Sequence, residues 1–380
     1  MPVLRALLSG AALCALCASA QADIKVGITL SMTGPGAALG IPQKNGVALM
    51  PKIIAGEKVE YIVLDDATDA TKAVTNARKM ISEDHIDVLI GSSVTPTSVP
   101  LIDVATETKT PYIATVPTLK MVEPIAERAW VFKVVQNDAI MAGALADHMQ
   151  KAGIKTISFI GYNDAYGEGW YEQVSKIMPA HGITVLDKES FARADTSVTG
   201  QTLKLVASKP DAILIAASGT PAVLPERTLK ERGFKGPIYQ THGVSTMEFI
   251  RVGGKDVEGT IFPAGPVVVA DQLADANPVK AHALAFVKSY EAMYGAPPAA
   301  FAAHTADAMS LVEAAAPEAL KRAKPGTPEF RAALREAIEH TKGAVLDHGV
   351  ITYTASDHAG MDERARVLIQ IVDGKWKIIP

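Results

Sequence analysis

A chain of 380 residues with a formal net charge of −4 is longer than one hydrophobic core usually organises, which favours two domains. Its 37 Lys and Arg residues are dispersed, so the sequence carries no basic patch that would indicate binding to nucleic acid or to an anionic membrane. No segment after residue 22 has the roughly 20 uninterrupted apolar residues of a membrane-spanning helix.

The first 22 residues are predicted to be an export signal. Arg5 supplies positive charge, residues 6–18 are apolar, and Ala20-Gln21-Ala22 fits the small-x-small cleavage pattern, so we expect cleavage after Ala22 and a periplasmic protein. Cleavage would remove both cysteines, Cys14 and Cys17. A lipoprotein anchor on either cysteine is disfavoured because leucine precedes each one where a small residue is expected.

Short runs rich in Val and Ile alternate with amphipathic stretches along most of the chain. The predicted strands are Ile24–Leu30, Val59–Leu64, Ile86–Ile90, Tyr112–Ala114, Thr156–Ile160, Ala212–Ala216 and Pro237–Tyr239. The predicted helices between them include Thr71–Ser82, Ile140–Lys151 and Gly169–His181, residues 271–339 are predicted to be helical only, and the tail has strand patterns at Val350–Thr354, Val367–Val372 and Trp376–Ile379. This alternation predicts two successive α/β units with parallel sheets.

Ligands of open parallel sheets bind beyond the carboxyl ends of the strands, so the turns there are the candidates for a functional site. The first turn, Ser31–Gly40, imitates a dinucleotide fingerprint, with Asp65 and Asp66 after the next strand. Three residues separate the strand from Gly34, whereas the fingerprint glycine lies at the strand end, so a nucleotide site is disfavoured.

The second turn, in Val88-LIGSSVT-Pro96, predicts an anion site. Its hydroxyls on Ser92, Ser93 and Thr95, and a helix opened by Thr95 and Pro96, are suited to a carboxylate or phosphate. An ordinary helix cap is the alternative for this turn alone, but the next strand ends in Ala114-TVP-Thr118 and adds another hydroxyl at the same edge.

Turns of the second α/β unit add further candidates at one sheet edge. They contain Tyr166 after Asn163-Asp164, Ser218 and Thr220 before Pro221, and His242 before Gly243. No G-x-S-x-G, H-E-x-x-H or P-loop motif occurs. We therefore expect no catalytic residues, no metal site and no cofactor, and we do not expect the protein to be an enzyme.

These residues resemble the type I periplasmic solute-binding proteins of ABC transporters, specifically the branched-chain amino acid (Leu/Ile/Val) binding family. The similarity runs through nearly the whole chain after residue 22. It is carried by Ile24–Gly40, Tyr61–Asp69, Ala77–Gly91, Asp164–Trp170, Gly182–Val185 and Lys209–Leu214.

The resemblance implies two doubly wound α/β lobes of strand order 2-1-3-4-5, joined by a three-strand hinge. The first lobe is expected to comprise residues 23–136 and 266–354, and the second lobe residues 137–265 and 355–380. It also implies a monomer that captures a small ligand between the lobes and delivers it to a membrane permease and ATPase.

The family pattern also implies site residues. A ligand carboxylate is expected at Thr95 and Thr118, with the carbonyl of Pro117 nearby. Where amino-acid binders carry an acid, an aromatic residue and a tyrosine, this sequence has His242, Thr220 and Leu39.

Without that acid, a buried ammonium would be an unpaired charge, which costs several kcal/mol. We therefore expect a carboxylate ligand without an α-ammonium, such as a benzoate, hydroxybenzoate or hydroxycinnamate. An aliphatic oxo acid, a branched-chain amino acid, a ligand-sensing receptor and a secreted α/β enzyme remain the alternatives.

Overall fold

The computed structural model of the protein describes residues 23–380, so the predicted export signal and both cysteines lie outside the described part of the chain. Within residues 23–380, no helix is long and apolar enough to cross a membrane. The strands are β1 Ile24–Leu30, β2 Ile53–Ile54, β3 Glu57–Asp65, β4 Val88–Gly91, β5 Tyr112–Ala114, β6 Val131–Lys133, β7 Thr156–Tyr162, β8 Thr184–Phe191, β9 Ala212–Ala216, β10 Ile238–Gln240, β11 Ile261–Ala264, β12 Ala344–Val345, β13 Val350–Ile351, β14 Val367–Val372 and β15 Lys375–Ile379. The α-helices are α1 Ala37–Val47, α2 Ala70–Ser82, α3 Thr95–Ser98, α4 Leu101–Thr108, α5 Asp138–Lys151, α6 Ala165–Ile177, α7 Thr199–Ala207, α8 Val223–Glu231, α9 Met247–Gly253, α10 Lys280–Tyr294, α11 Ala300–Leu320 and α12 Pro328–Glu339.

Two separate, mostly parallel sheets form the centres of two lobes. The first has the order β2-β3-β1-β4-β5-β6, in which only the short β2 is antiparallel. The second has the order β15-β14-β11-β10-β9-β7-β8, with β14 and β15 antiparallel at one edge. The parallel strands of each lobe thus follow the order 2-1-3-4-5, which confirms the predicted fold class.

Helices cover both faces of the first sheet. Its strands are apolar on both sides, as buried parallel strands must be. One face packs against α11 and α12 through residues such as Leu311 and Phe330, and the other against α2 and α4 through Met80 and Leu101. The predicted helical segment 271–339 therefore completes the first lobe, although it follows the whole second α/β unit in the chain.

Three segments connect the lobes: β6 to α5, the residues after β11, and the residues before β14. The first and third of these segments lie side by side, because Gln136 Nε2 donates to the carbonyl of Ala365 over 2.8 Å and Tyr353 Oη donates to the carbonyl of Lys133 over 2.7 Å. The residue-level lobe boundaries stay a prediction. Since Met361 and Ala365 pack into the core of the first lobe, we propose that the last crossing lies near residue 366 rather than 355.

Local chemistry explains two differences from the sequence prediction. Helix α6 begins at Ala165 rather than Gly169, because the Asp164 carboxylate caps it by accepting hydrogen bonds from the backbone N–H groups of Tyr166 and Gly167. Strand β8 was not predicted, because it lies at the sheet edge and alternates exposed and less exposed residues.

Candidate functional site

A cavity lies between the lobes, beyond the carboxyl ends of the strands, and about 330 Å³ there is free of protein atoms, part of it open to solvent. We call it the interlobe cavity, and it is lined by Leu39, Ser93, Val94, Thr95, Thr115, Val116, Pro117, Val135, Tyr166, Arg193, Ser218, His242, Gly243, Phe301 and His304. Seven predicted ligand residues line it: Leu39, Ser93, Thr95, Pro117, Tyr166, Ser218 and His242.

Ser92, although predicted as a ligand residue, does not line the cavity, because its hydroxyl holds the turn together. Ser92 Oγ donates to Asp66 Oδ2 over 2.5 Å and accepts hydrogen bonds from Thr97 Oγ1 and from the backbone N–H of Ser93. Asp66 is itself fully buried. Asp66, which resembled a ribose-binding acid in the sequence, is therefore a structural hydrogen-bond acceptor. Ser92 stabilises the turn and does not line the cavity.

The two remaining hydroxyls of this turn are available to a ligand. Ser93 Oγ accepts a hydrogen bond from the backbone N–H of Ser31 over 2.9 Å, which leaves its own proton free to be donated. Thr95 Oγ1 is buried and has no hydrogen-bond partner among the described residues. A buried hydroxyl without a partner is costly, so a ligand acceptor at Thr95 would remove a real penalty.

Thr115 contrasts with Thr95, although both line the cavity. Thr115 Oγ1 donates to the carbonyl of Ser92 over 2.7 Å and accepts from Gln43 Nε2 over 3.0 Å. Its hydroxyl is thus fully used inside the first lobe, so we expect a structural role for it.

The second lobe contributes a prebuilt polar wall. Thr241 Oγ1 donates to the carbonyl of Ala217 over 2.9 Å, so the Tyr166 hydroxyl, 2.7 Å from Thr241 Oγ1, donates to Thr241. Gly243 is required where it lies, because a Cβ there would be 2.8 Å from both Tyr166 Oη and Ser218 Cβ. The ring of Tyr166 is therefore held against the cavity.

Arg193 also lines the cavity, although it was not predicted from the sequence. Its Nε donates to Asp164 Oδ2 over 2.7 Å and its Nη1 donates to Ser218 Oγ over 3.0 Å, while the guanidinium carbon lies 4.0 Å from the ring centroid of Tyr162. Neither bond uses Nη2, so donors remain for a carboxylate. Arg193 follows β8, and the strand-end rule would have found it had β8 been recognised.

Two histidines, His242 and His304, line the interlobe cavity. Burial, together with electrostatic interactions with Lys133 and His348, lowers the pKa of His242 to about 3. Burial likewise lowers the pKa of His304, which lines the cavity from the middle of α11. Both imidazoles are therefore neutral at neutral pH. A position inside a helix carries no sequence signal for a ligand site, which explains why His304 and its neighbour Phe301 were missed.

Thr118 and Thr220, both predicted as ligand residues, do not line the interlobe cavity. Thr118 lines a neighbouring depression together with Asp138 and Gly169, and its hydroxyl accepts a hydrogen bond from the backbone N–H of Lys120. Thr220 opens a short 3-10 helix and is partly exposed. Asp138 and Lys133 are both buried and interact electrostatically, and burial raises the pKa of Asp138 and lowers that of Lys133.

None of the described residues that line the interlobe cavity is Asp or Glu. Residues 23–380 also contain no cluster of three or more His, Cys, Asp or Glu side chains that could hold a metal ion. The cavity therefore offers hydroxyl, guanidinium and imidazole groups around an apolar interior, which suits an organic anion.

Two doubly wound lobes around such a cavity define a two-lobed solute-binding protein. The chain belongs to the periplasmic binding protein family, whose model matches residues 23–374.

Relatives and solved structures agree with this family. The chain is 52% identical to an extracellular ligand-binding receptor from Rhodopseudomonas palustris HaA2, with a TM-score of 0.92 over 94% of this chain and 100% of that one. It is 25% identical over 344 residues to the Leu/Ile/Val-binding protein homolog 3 of Brucella melitensis, covering 88% of each chain. It is also 25% identical to a leucine-binding protein from Thermotoga maritima, with a TM-score of 0.82 over 94% of this chain and 98% of that one. The predicted family is thus confirmed.

Proposed function

We propose that this chain is the solute-binding component of an ABC importer, and that it captures a small aromatic carboxylate without an ammonium group in the interlobe cavity. The observation that carries this proposal is the donor set of the cavity. Thr95 Oγ1 is buried without a partner among the described residues, Arg193 lines the same cavity from the opposite lobe, and no acid is present among the lining residues.

The carboxylate is assigned to Ser93, Thr95 and Arg193. The two hydroxyls come from the first lobe and the guanidinium from the second, so a carboxylate between them would connect the lobes. Hydrogen bonds to a charged group contribute about 1.5–3 kcal/mol each, more than those between neutral groups. Because Asp164 already pairs with Arg193, the guanidinium remains neutralised when the cavity is empty.

An ammonium group would find no charged partner in this cavity. The residue at the family position of the acid is His242, whose low pKa keeps it neutral, so it carries no negative charge that could pair with an ammonium. A desolvated ammonium without a carboxylate partner costs several kcal/mol. This cost favours an acid over the corresponding amino acid.

The interior of the cavity suits a flat ring. Aromatic side chains on both sides, Tyr166 from the second lobe and Phe301 from the first, line it together with the small aliphatic residues Val94, Val116 and Val135. Aromatic pairs gain about 0.5–1.5 kcal/mol beyond the area that they bury. A benzoate or cinnamate ring bound between the lobes would contact these side chains.

Branched-chain amino acids are the second candidate, because several relatives are named Leu/Ile/Val-binding proteins. Such a ligand would need an acid from outside the lining residues. Asp138, in the neighbouring depression, is one candidate, and its Oδ1 is buried without a hydrogen-bond partner among the described residues. Burial raises the pKa of Asp138 to about 7, however, which makes it a poor counter-ion for an ammonium.

Export to the periplasm, a monomeric state and delivery to a permease and ATPase belong to the same proposal. A sensing receptor would instead copurify from membranes with a kinase or similar partner. A secreted enzyme would convert its bound ligand, and recovery of the ligand unchanged after prolonged incubation would count against it.

Thermal unfolding of the protein, stripped of copurified ligand by denaturation and refolding, tests the proposal. One panel holds benzoates, hydroxybenzoates and hydroxycinnamates, and the other holds Leu, Ile and Val. A ligand at about 100 times its dissociation constant stabilises the folded state by about 2.7 kcal/mol and raises the melting temperature. We expect a rise with the aromatic acids. A rise with the amino acids alone would contradict the proposal.

A further inference from the structure

The two cavity histidines come from different lobes. His242 follows β10 in the second lobe, and His304 lies on α11 in the first. They are only 6% and 3% exposed, and the Nδ1 atom of each is buried without a hydrogen-bond partner among the described residues. Buried polar atoms are nearly always bonded, so two orphaned ring nitrogens at one cavity point to a missing partner.

The surrounding side chains hold both rings in place. The His304 ring centroid lies 4.3 Å from that of His348 and 5.4 Å from that of Phe301, which meets it edge-on. His348 Nδ1 is in turn 2.7 Å from Asp307 Oδ2. The His242 ring lies 5.6 Å from Trp170. A rigid support of this kind is what a specificity site requires.

The hydrogen-bonding capacity of the two rings limits what they can bind. A neutral imidazole has one N–H donor and one acceptor nitrogen. Two neutral imidazoles therefore provide both a donor and an acceptor, but no positive charge for a second carboxylate. A hydroxyl group, which donates once and accepts as well, matches this combination.

We propose that His242 and His304 together form a hydroxyl-recognition site, and that His304 determines the preference of this protein for a hydroxylated aromatic acid over the unsubstituted acid. This inference rests on the proposed function, since it assumes that the ligand is an aromatic carboxylate held at Ser93, Thr95 and Arg193. The phenolic hydroxyl would satisfy nitrogens that the unsubstituted ring leaves without a partner. Leaving a buried polar group unpaired costs about 1–3 kcal/mol, or roughly 5- to 150-fold in affinity.

Calorimetric titration of the ligand-stripped protein tests the site. The probes are benzoate and the three isomers of hydroxybenzoate, together with cinnamate and 4-hydroxycinnamate. We expect at least one hydroxylated acid to bind at least about tenfold more tightly than its unsubstituted partner. The His304→Phe variant keeps an aromatic ring but removes both nitrogens, and should reduce this ratio to less than about threefold.

Phe301→Leu is the matched control, because Phe301 lines the same cavity one turn earlier on α11 but has no polar atom. This variant should bind both acids of a pair more weakly and leave the ratio of their dissociation constants unchanged. Equal binding of both members by the wild-type protein, or an unchanged ratio in His304→Phe, would overturn the inference. Benzoate binding without any hydroxyl preference would overturn only this inference, whereas a lack of binding by every aromatic acid would overturn the proposed function as well. The ratio of the two dissociation constants in the wild-type protein tests the inference even if the His304→Phe variant does not fold.

Discussion

The two walls of the interlobe cavity differ in how their polar atoms are satisfied. In the second lobe, Tyr166 and Arg193 are both held by internal hydrogen bonds to residues of their own lobe. In the first lobe, Thr95 Oγ1 and His304 Nδ1 have no partner among the described residues. Apart from His242 Nδ1, which also lacks a partner among the described residues, the second wall is therefore a preformed scaffold, whereas the first wall leaves Thr95 and His304 to be satisfied by the ligand. Substitutions on the two walls should have different effects on stability and affinity.

The largest effect is expected for Arg193→Met, which should lower both stability and affinity. Asp164 would lose its partner but still cap α6 and keep 19% of its side chain exposed, so the loss of stability should be about 2–3 kcal/mol, below the range for fully buried pairs. The ligand carboxylate would lose its guanidinium donor, and its dissociation constant should rise about 100-fold. Urea unfolding and calorimetry measure the two effects.

Arg227→Met is the control for this prediction. Arg227 pairs with Asp256 through Nε and Oδ2 over 2.7 Å in the same lobe, away from the cavity. This variant should lose some stability but keep full affinity. If Arg193→Met keeps wild-type affinity, Arg193 is not a carboxylate ligand.

A smaller effect, confined to affinity, is expected for Thr95→Val. The substitution keeps the shape of the side chain and removes a hydroxyl that is unpaired in the empty protein, so stability should stay the same or rise by about 1 kcal/mol. Affinity should fall about 10- to 100-fold, since a hydrogen bond to a charged carboxylate is lost. Both quantities come from the same unfolding and titration experiments.

Thr115→Val provides the opposite control on the same wall. Its hydroxyl is bonded within the lobe, so this variant should lose about 1–3 kcal/mol of stability with little change in affinity. Equal effects of the two substitutions on affinity would contradict the assignment of Thr95.

The neutral state of His242 can be checked by the dependence of stability on pH. Burial holds its pKa in the folded protein near 3, below the value of about 6.5 in an unfolded chain, so the unfolded state binds more protons in this interval. Its contribution to stability is therefore complete above pH 6.5 and declines as the pH falls from 6.5 toward 3. His242→Gln should show a smaller decline, measured by urea unfolding at several pH values.

His340→Gln serves as a control because His340 is exposed at the end of α12. It should follow the wild-type pH dependence. An identical decline in His242→Gln would mean that the pKa of His242 is close to its ordinary value in the folded protein.

The smallest effects are expected at two residues that the sequence suggested and the cavity does not include. Thr118→Ala and Thr220→Ala should change the dissociation constant by less than about twofold, because side chains outside the contact region contribute little to binding. A loss of tenfold or more at Thr118 would instead extend the ligand site toward Asp138.

The residues that line the interlobe cavity show what the sequence could and could not predict. Thr95 and Tyr166 were found because they follow recognisable buried strands, where the ligands of parallel sheets bind. Arg193 was missed because β8, the strand before it, lies at an edge and lacks two apolar faces. His304 and Phe301 reach the cavity only because α11 returns to the first lobe after the whole second unit, and this long-range packing leaves no local pattern.

The hydrogen-bond partners of the cavity hydroxyls could not be predicted from the sequence either. Ser92, Ser93 and Thr95 share one turn and similar chemistry, but only the structure shows that Ser92 is committed to Asp66 while Thr95 is not. The alignment of His242 with an acid was the sequence signal for a ligand without an ammonium, and the lining residues agree with it because none of them is acidic.

The most direct test of the central claim compares ligands that differ only in the ammonium group. Calorimetric titration of the ligand-stripped protein with 3-phenylpropionate and L-phenylalanine, and with 4-methylpentanoate and L-leucine, isolates that group in an aromatic and an aliphatic pair. We predict that the acid binds at least about tenfold more tightly than the amino acid in the aromatic pair, because the buried ammonium would have no charged partner. Equal or tighter binding of both amino acids would contradict this account.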